Sequence, residues 1–467
     1  MTGTPTRKDD LVTHTIVRLL AAGATDHVVK VLQKQHPVDV AGILRRLEAR
    51  HRRPTFELLV AQNRSLAMQA LAELGPALGA VLLEDRPADE VSRLLETLPP
   101  DDAAPILERL PGELSTRVRD LMSHKGGADR LLAHADRTAG RIMNPNVFAL
   151  PESTTAGEAV LALQRTAGQE TEVVFYLYLV DRDGHLVGVT SLRRLLLVPA
   201  ETPIRQIMAT DVVRIAEDDD QQEAARLVTS YNLLAIPVVD SRNKLVGTIT
   251  VDDVIDVIGD KTTKDIQKLG GLEALDEPYT QTPFATLIKK RARWLIVLFI
   301  GEMLTATAMS HYEEEIASAV VLALFVPLII SSGGNSGSQA ASLMIRALAV
   351  GEITIRDWWQ VMRREVLSGL ALGGILGAIG FGRVAIWGRM FNTYGEHWLL
   401  VALTVSLSLV GVVLWGTLAG SMLPFIMKRL GADPATSSAP FVATLVDVTG
   451  LIIYFSVAAL ILRGTLL

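Results

Sequence analysis

Hydrophobic and polar residues are distributed very unevenly along the 467-residue chain. Residues 1–290 are dense in Asp, Glu, Arg and Lys, whereas after Arg293 the charges thin out into a few clusters between apolar runs. Five of these runs approach the ~20 residues that a helix needs to cross a bilayer. They span residues 293–312, 316–345, 363–387, 398–426 and 440–463. The pattern predicts a soluble first half and an all-α transmembrane domain of five helices at 291–467.

Basic residues between the apolar runs predict how the helices are oriented. Loops rich in Lys and Arg stay on the cytoplasmic side. Such residues precede the first run and separate the second from the third and the fourth from the fifth: Lys289, Lys290, Arg291, Arg293, Arg346, Arg356, Arg363, Arg364, Lys428 and Arg429. The opposite side has fewer, and it carries Glu313–Glu315, either a solvated loop or a cation funnel. We therefore expect a multi-pass protein of the cytoplasmic membrane with a cytoplasmic N-terminal half and an external C-terminus. The N-terminus lacks an apolar segment typical of a cleaved signal peptide.

The second apolar run has a composition unlike that of a lipid-facing helix. Its stretch VPLIISSGGNSGSQAASLMIRAL, Val326 to Leu348, combines hydroxyl and amide side chains with three glycines. We expect Pro327 and the glycines to break this helix. Asn and Gln at bilayer depth need polar partners. Two interpretations stand: these side chains line a polar path, or they hold helices together without any bound ion.

The fifth run carries an acid, Asp447, about two turns inside its predicted helix. A carboxylate at that depth is costly unless it faces water, a cation or a partner. One interpretation is an Asp held by neighbouring hydroxyls or capping a broken helix. The other interpretation is a cation site, whose oxygen ligands suit Mg²⁺. Since each chain contributes one such Asp, a ring of carboxylates around a pore forms only in an oligomer. Glu302, in the first run, either lines the same path or lies near the membrane interface.

Residues 1–135 show helical periodicity throughout. The segments HPVDVAGILRRLEA, RPADEVSRLLETL and PPDDAAPILERL share a Pro near the start, an acid in the first turn and apolar residues at i, i+3, i+4 and i+7. Their similarity predicts an all-α superhelix of stacked helical units. Such an array is typical of a scaffold or docking surface.

Two longer repeats follow. Each begins with an I-M dipeptide, which is followed by a predicted strand, a helix and a second strand that ends in V-D. After a turn, each repeat ends with a strand that begins with LVG and a final helix. This tandem resembles a pair of CBS domains, an α/β unit with CBS 1 at 136–200 and CBS 2 at 201–258. CBS pairs often bind adenosine nucleotides such as ATP, and the second copy retains the ribose-reading element as Thr250 and Asp253. The first copy has Arg194 in place of the acid, so nucleotide binding there is in question. The alternative is a structural pair that dimerises.

With a connecting helix at 259–290, the whole chain resembles the MgtE family of magnesium channels. The most specific matches are PLIISSGGNSGSQAASLMIRALA and GADPATSSAPFVATLVDVTG. The resemblance implies a homodimer in the lipid bilayer with a pore between its membrane domains. Asp447 would be the selectivity carboxylate for Mg²⁺, Asn335 and Gln339 would lie beside the path, and Asp433 at the cytoplasmic mouth. Mg²⁺ bound among cytosolic acids would close the pore, with the connecting helix as a plug.

The departures from this family concern mainly the Mg²⁺ sensor. Candidate sensing acids remain at Asp89, Asp220, Asp253, Asp256 and Asp265. Where further acids are expected, the chain instead has Gly259, Lys261 and Lys264, and less certainly Asn232 and Arg93. In the pore, Ala439 replaces an amide found in the family. We expect Mg²⁺-dependent closure to be weak or shifted to higher concentration, with Lys261 and Lys264 pairing with acids of neighbouring domains.

Composition narrows the alternatives. The chain has no cysteine, which excludes disulfides and thiolate metal sites. A net charge of −6 without a basic stripe argues against nucleic acid as a partner, and no catalytic or phosphate-binding motif indicates an enzyme. The sequence predicts a Mg²⁺ channel; the alternatives are an ion-coupled secondary transporter, in which Asp447 and Glu302 carry protons or Na⁺, and a membrane-anchored nucleotide sensor.

Overall fold

The computed structural model describes residues 6–122, 127–166, 175–276, 279, 282–391, 393–463 and 465. Internal packing divides the chain into two compact units, Met1–Gly259 and Asp260–Leu467. The first holds the predicted helical array and the repeated α/β pair, and the second holds the apolar helices. The predicted fold class is confirmed.

Every secondary-structure element in residues 6–122 and 127–133 is a helix. These are α1 (Thr6–Ala21), α2 (Thr25–Leu32), α3 (Pro37–Arg46), α4 (Ala49–Gln62), α5 (Arg64–Leu74), α6 (Pro76–Leu83), α7 (Ala88–Leu95), α8 (Pro100–Arg109), α9 (Gly112–Leu121) and α10 (Ala128–Ala133). The predicted helical segments become α3, α7 and α8. In α3, Pro37 occupies the first turn beside Asp39, and Val40, Ile43 and Leu44 are buried. Proline and an acid favour a helix start, and the spacing of the buried residues makes one apolar face.

The two α/β repeats form two three-stranded sheets of the same topology. Their elements are α11 (Ala139–Ile142), β1 (Ala149–Pro151), α12 (Ala156–Thr166), β2 (Tyr176–Val180), β3 (Leu186–Ser191), α13 (Leu192–Leu196), β4 (Ile215–Ala216), α14 (Gln221–Tyr231), β5 (Ala235–Val239) and β6 (Leu245–Thr250). In each sheet the central strand pairs with a parallel neighbour and an antiparallel one, in the orders β1-β2-β3 and β4-β5-β6. The arrangement is that of a CBS pair.

The I-M and LVG motifs of the repeats meet across the pair. A Cβ added at Gly247 would lie 2.6 Å from the sulfur of Met143, and one added at Gly188 would lie 2.6 Å from the sulfur of Met208. Each methionine therefore packs on the glycine of the other repeat, where a side chain would clash. This reciprocal packing of methionine on glycine explains why both motifs occur in each repeat.

Helix α15 (Val251–Leu269) follows β6, and the membrane domain follows it. The membrane helices are α16 (Phe284–His311), α17 (Glu313–Ser318), α18 (Val320–Ala323), α19 (Val326–Ala349), α20 (Trp358–Phe391), α21 (Trp398–Arg429) and α22 (Ala439–Leu462). Among the described residues, five helical stretches are long and apolar enough to cross a membrane. Several begin earlier than predicted: α16 at Phe284 and α20 at Trp358, because basic residues with long aliphatic stems are tolerated in the end turns of a membrane helix.

One expectation about the second run is wrong. The glycines do not break α19, which continues from Val326 to Ala349. The run is interrupted earlier, between α17 and α18 and again between α18 and α19. Pro327 follows the second interruption and sits in the first turn of α19, where the missing N–H costs nothing.

The glycines instead let α19 and α21 cross at short distance. A Cβ on Gly416 would lie 2.3 Å from the carbonyl oxygen of Gly333, and one on Gly420 would lie 2.0 Å from that of Gly337. Both pairs are four residues apart on their helices, the spacing of close membrane-helix crossings. The two backbones therefore touch, which holds α19 in place within the bundle.

Candidate ion pathway and its cytoplasmic mouth

Asp447 lies on α22, eight residues after the first residue of that helix, Ala439, or about 12 Å along its axis. Its side chain is partly buried, and among the described residues none donates a hydrogen bond to its carboxylate. Thr449, the nearest hydroxyl in sequence, instead donates to the carbonyl of Leu445 and accepts from the indole N–H of Trp415, both at 2.7 Å. Because α22 is unbroken and this hydroxyl is engaged elsewhere, the structure gives no support to a capping or hydroxyl-held Asp447.

Helices α19 and α16 also approach this carboxylate. A Cβ built on Gly334 would lie 3.7 Å from Asp447 Oδ1 and 3.6 Å from the Cβ of Ala443. Glu302 of α16 is close enough for its charge to act on Asp447. Helices α16, α19 and α22 thus bring two acids and a glycine into one region of the membrane domain.

The polar side chains of α19 divide into two groups. Ser336 hydrogen-bonds Thr417 of α21 at 2.7 Å, and Ser338 donates to the carbonyl of Ala439 at 3.1 Å. These residues hold helices together, as one of the two interpretations expected. They also show that the backbone carbonyl of Ala439 already accepts a hydrogen bond within the bundle.

Three other polar residues of α19 are exposed. Ser331, Asn335 and Gln339 follow one another at four-residue spacing and so lie on one face of the helix. The Asn335 amide makes a long contact of 3.5 Å with the hydroxyl of Ser331. Amide groups exposed at this depth cannot face lipid without a large cost, so this face borders water or another polypeptide.

Asp433 lies in the turn between α21 and α22. Its Oδ1 accepts from the N–H of Ala435 at 3.0 Å, and its Oδ2 accepts from the ammonium of Lys268, the last turn of α15, at 2.5 Å. Partial burial by itself would raise the pKa of Asp433, but these hydrogen bonds and the nearby charge of Lys261 outweigh it and hold the pKa below its usual value. The predicted mouth acid is therefore already paired with a lysine.

The segment that follows α15 is docked on the same side of the membrane domain. Trp294 of α16 donates its indole N–H to Ser438 at 3.2 Å. Gly271 has φ +70° and leaves room for that indole, since a Cβ there would lie 2.8 Å from the ring. Lys290 contacts Asp276 at 2.7 Å, and an Arg293–Glu273 pair at 3.0 Å adds a second tie. We call residues 268–276 the docked segment.

Lys261 and Lys264 of α15 do not pair as expected. Lys261 lies 2.9 Å from Asp265 and Lys264 lies 2.7 Å from Asp260, both one turn along their own helix. The expectation that they reach acids of neighbouring domains is wrong, because the i,i+4 acids are closer. Asp265, a candidate sensing acid, is thereby neutralised locally.

The other departures from the family have local explanations. Arg93 pairs with Asp89 one turn earlier on α7, at 2.8 Å. Asn232 ends α14 with φ +52°, a left-handed conformation that asparagine tolerates. Asp220 caps the start of α14 by accepting from the N–H of Gln222 at 2.8 Å. Arg93, Asn232 and Asp220 thus have structural roles, although Mg²⁺ sensing by Asp89 and Asp220 stays a prediction.

In the second CBS repeat, Thr250 and Asp253 contact each other. The Thr250 N–H and hydroxyl donate to Asp253 Oδ2 at 3.2 and 2.9 Å, and the hydroxyl also contacts Asp252. The first repeat has Ser191 accepting from the N–H of Arg194, with no acid at that position. Only the second copy therefore presents an arranged hydroxyl and carboxylate.

Asp256 follows one turn after Asp252 on α15. Partial burial, with a smaller contribution from the charge of Asp252, raises the pKa of Asp256. Among the described residues, the group of His, Asp and Glu close enough to share a metal ion is Asp181, Asp183 and His185, which lies in the turn after β2 and was not predicted. None of the predicted sensing acids belongs to such a group, so their sensing role stays a prediction.

Several residues of these sites were missed by the sequence analysis. Lys268 and Trp415 act on sites far away in sequence, so no local pattern could reveal them. The D-x-D-x-H spacing at Asp181 was a readable signal for a compact turn; Asp181 accepts from the N–H groups of Asp183 and His185.

Comparison with known proteins gives these sites a family context. Residues 326–457 match the model of the MgtE divalent cation transporters, 139–201 and 204–260 match the CBS domain, and 35–132 match the MgtE intracellular N domain. The chain is 37% identical over 450 residues to the magnesium transporter MgtE of Thermus thermophilus, covering 95% of this chain and 97% of that protein. The chain belongs to the MgtE family. The MgtE relatives are magnesium transporters and not enzymes.

Two further similarities cover parts of the chain. The magnesium transporter MgtE of Enterococcus faecalis is 34% identical over 338 residues, 72% of each chain. A solved cytosolic domain of the Mg²⁺ channel MgtE in complex with ATP is 33% identical, with a TM-score of 0.49 over 52% of this chain and 99% of that one. The matches to the family models lie in both the soluble and the membrane regions.

Proposed function

We propose that the chain is a Mg²⁺ channel in which two copies enclose a path through the cytoplasmic membrane and let Mg²⁺ enter the cell passively. The observation that carries this proposal is Asp447, a partly buried carboxylate at bilayer depth without a hydrogen-bond donor among the described residues. A charge in that setting is costly unless a cation or water compensates it. The transported ion supplies the missing positive charge.

The exposed polar face of α19 supports a dimer. Ser331, Asn335 and Gln339 are turned away from the helices of their own copy, and a second copy facing them encloses a water-filled path. Mg²⁺ gives up its water reluctantly, and amide and carboxylate oxygens accept hydrogen bonds from the water that surrounds it. Two copies of Asp447 then form the carboxylate ring of a cation filter. The positions of the basic residues favour a cytoplasmic location of the soluble unit.

A secondary transporter is the second candidate, and one observation favours it. Glu302 is close enough for its charge to act on Asp447, and acids inside membrane helices form the proton relays of many transporters. The two mechanisms differ in their driving force. In proteoliposomes, a channel takes up Mg²⁺ at a rate set by voltage and the Mg²⁺ gradient, with Na⁺ absent and a protonophore present. Uptake that stops when the proton and Na⁺ gradients are removed establishes the transporter instead.

We further propose that the cytosolic part closes the channel with little dependence on Mg²⁺. Asp265, Asp433 and Asp89 each have a cationic side chain as partner, supplied by Lys261, Lys268 and Arg93. A bound Mg²⁺ has to displace or overcome these charges. In the full-length protein, Mg²⁺ at low millimolar concentration leaves protease digestion of the cytosolic domains unchanged, whereas the variant Lys261→Ala/Lys264→Ala shows protection. Protection of the wild type at that concentration contradicts the proposal.

The second CBS repeat is proposed to bind an adenosine nucleotide through Thr250 and Asp253. Their mutual hydrogen bonds place one hydroxyl and one carboxylate side by side, which suits a ribose diol. Titration calorimetry of the full chain with ATP tests this. Thr250→Ala weakens ATP binding about fivefold, as expected for the loss of one neutral hydrogen bond worth about 1 kcal/mol, while Ser191→Ala in the first repeat leaves it unchanged. Equal loss in both variants contradicts a site restricted to the second repeat.

A further inference from the structure

Gly334 differs from the other glycines buried where α19 crosses its neighbours. Gly333 and Gly337 are required for packing, since an added Cβ would lie 2.5 Å from Val412 and 2.8 Å from the carbonyl of Gly416. At Gly334 the nearest atoms to an added Cβ are at 3.6–3.7 Å, an ordinary contact distance. An alanine fits there without displacing anything, so close packing does not explain the glycine.

The direction in which that Cβ would point is informative. Its neighbours are the Cβ and Cα of Ala443 and Oδ1 of Asp447. A methyl group at 3.7 Å covers one side of the carboxylate oxygen and occupies the volume of a hydrogen-bonded water molecule, whose oxygen would stand about 2.7 Å away. The glycine leaves this volume beside Asp447 free of side-chain atoms.

We propose that Gly334 is a specificity-determining residue that leaves space for the water shell of the cation held by Asp447. This inference rests on the proposed function. Mg²⁺ retains its water and needs the space for it, whereas Ca²⁺ accepts carboxylate oxygens directly and in flexible geometry. Filling this space therefore lowers the uptake of Mg²⁺ more than the uptake of Ca²⁺.

The experiment compares Gly334→Ala with two other glycine substitutions in proteoliposomes. Gly374→Ala on α20 is the matched control, since no atom lies within 4 Å of a Cβ there. Gly337→Ala is the packing contrast and lowers the melting temperature. We expect Gly334→Ala to retain the wild-type melting temperature, to lose about tenfold in Mg²⁺ uptake and to lose less in Ca²⁺ uptake. Gly374→Ala behaves as wild type in all three measurements.

Three results overturn the inference. Mg²⁺ uptake by Gly334→Ala at the wild-type rate shows that the space is not used. Equal losses of Mg²⁺ and Ca²⁺ uptake show that the residue has no part in selectivity. A lowered melting temperature, as in Gly337→Ala, assigns it to packing. If the wild type takes up no Mg²⁺, or if Asp447→Asn takes it up at the wild-type rate, the proposed channel function is wrong. These results are distinct from the three above, which overturn only the role of Gly334.

Discussion

The ion pair between Lys268 and Asp433 makes a quantitative prediction about the docked segment. Both side chains are about one-third exposed, at 33% and 31%, so solvent screens their attraction in part. Exposed pairs contribute ~0.2–1 kcal/mol, and this more sheltered pair with a hydrogen bond belongs at the upper end, about 1 kcal/mol. Losing it therefore shifts the equilibrium between docked and undocked segment about fivefold toward the undocked form.

The chain has no cysteine, which provides a direct assay. A spin label on Gly270→Cys reports the docked segment at an exposed position where a Cβ approaches only the backbone at 3.4 Å or more. In the full-length protein, Lys268→Ala raises the mobile fraction of this label about fivefold. Lys289→Ala is the control, since this exposed lysine lies near the start of α16 and has no ion pair among the described residues.

A double-mutant cycle separates the ion pair from other effects of each substitution. Asp433→Asn keeps an oxygen for the N–H of Ala435 and removes the charge. If the pair acts as proposed, Lys268→Ala adds nothing once Asp433 is neutral, and the coupling energy is about 1 kcal/mol. Additive effects of the two substitutions, with a coupling near zero, refute the reasoning.

Two other predictions follow from the same unit. Gly420→Ala forces a Cβ to within 2.0 Å of the carbonyl of Gly337; we expect it to destabilise the membrane domain by about 3 kcal/mol or more, seen as a lowered melting temperature in detergent relative to Gly374→Ala. The pKa of Asp433 is lowered in the docked form, so its ionised carboxylate stabilises docking at pH values above the ordinary Asp pKa of about 4. This stabilisation is lost as the pH falls through the lowered pKa. The spin label on residue 270 should accordingly stay immobile from neutral pH to about pH 4 and become mobile below it, and mobility that rises between pH 7 and 5 contradicts this assignment.

The order of domains was predictable because each has its own periodicity. Apolar residues at helical spacing gave α3, α7 and α8, the repeated I-M and LVG motifs indicated the CBS pair, and five long apolar runs indicated the membrane helices. The continuous α19 was not predictable from propensity. Its glycines are poor helix formers in water, but a membrane helix retains its backbone hydrogen bonds, and the glycines bring α21 into contact.

The candidate sites were predictable in residue type and only partly in partners. An acid at bilayer depth was sufficient to select Asp447 and Glu302, which the structure brings near each other. The pairing of Asp433 with Lys268, 165 residues apart, depends on how the docked segment folds back. The partners of Lys261 and Lys264 were misjudged because the acids one turn away in the same helix were not weighed.

Mg²⁺ uptake by proteoliposomes containing Asp447→Asn tests the central claim most directly. The substitution keeps the size of the side chain and removes its charge, and no hydrogen bond to the carboxylate is lost among the described residues. We predict that wild-type protein takes up Mg²⁺ along its gradient and that Asp447→Asn, with an unchanged melting temperature, loses this uptake or its preference for Mg²⁺ over Ca²⁺. Wild-type uptake and selectivity in Asp447→Asn would contradict the account and place the filter elsewhere.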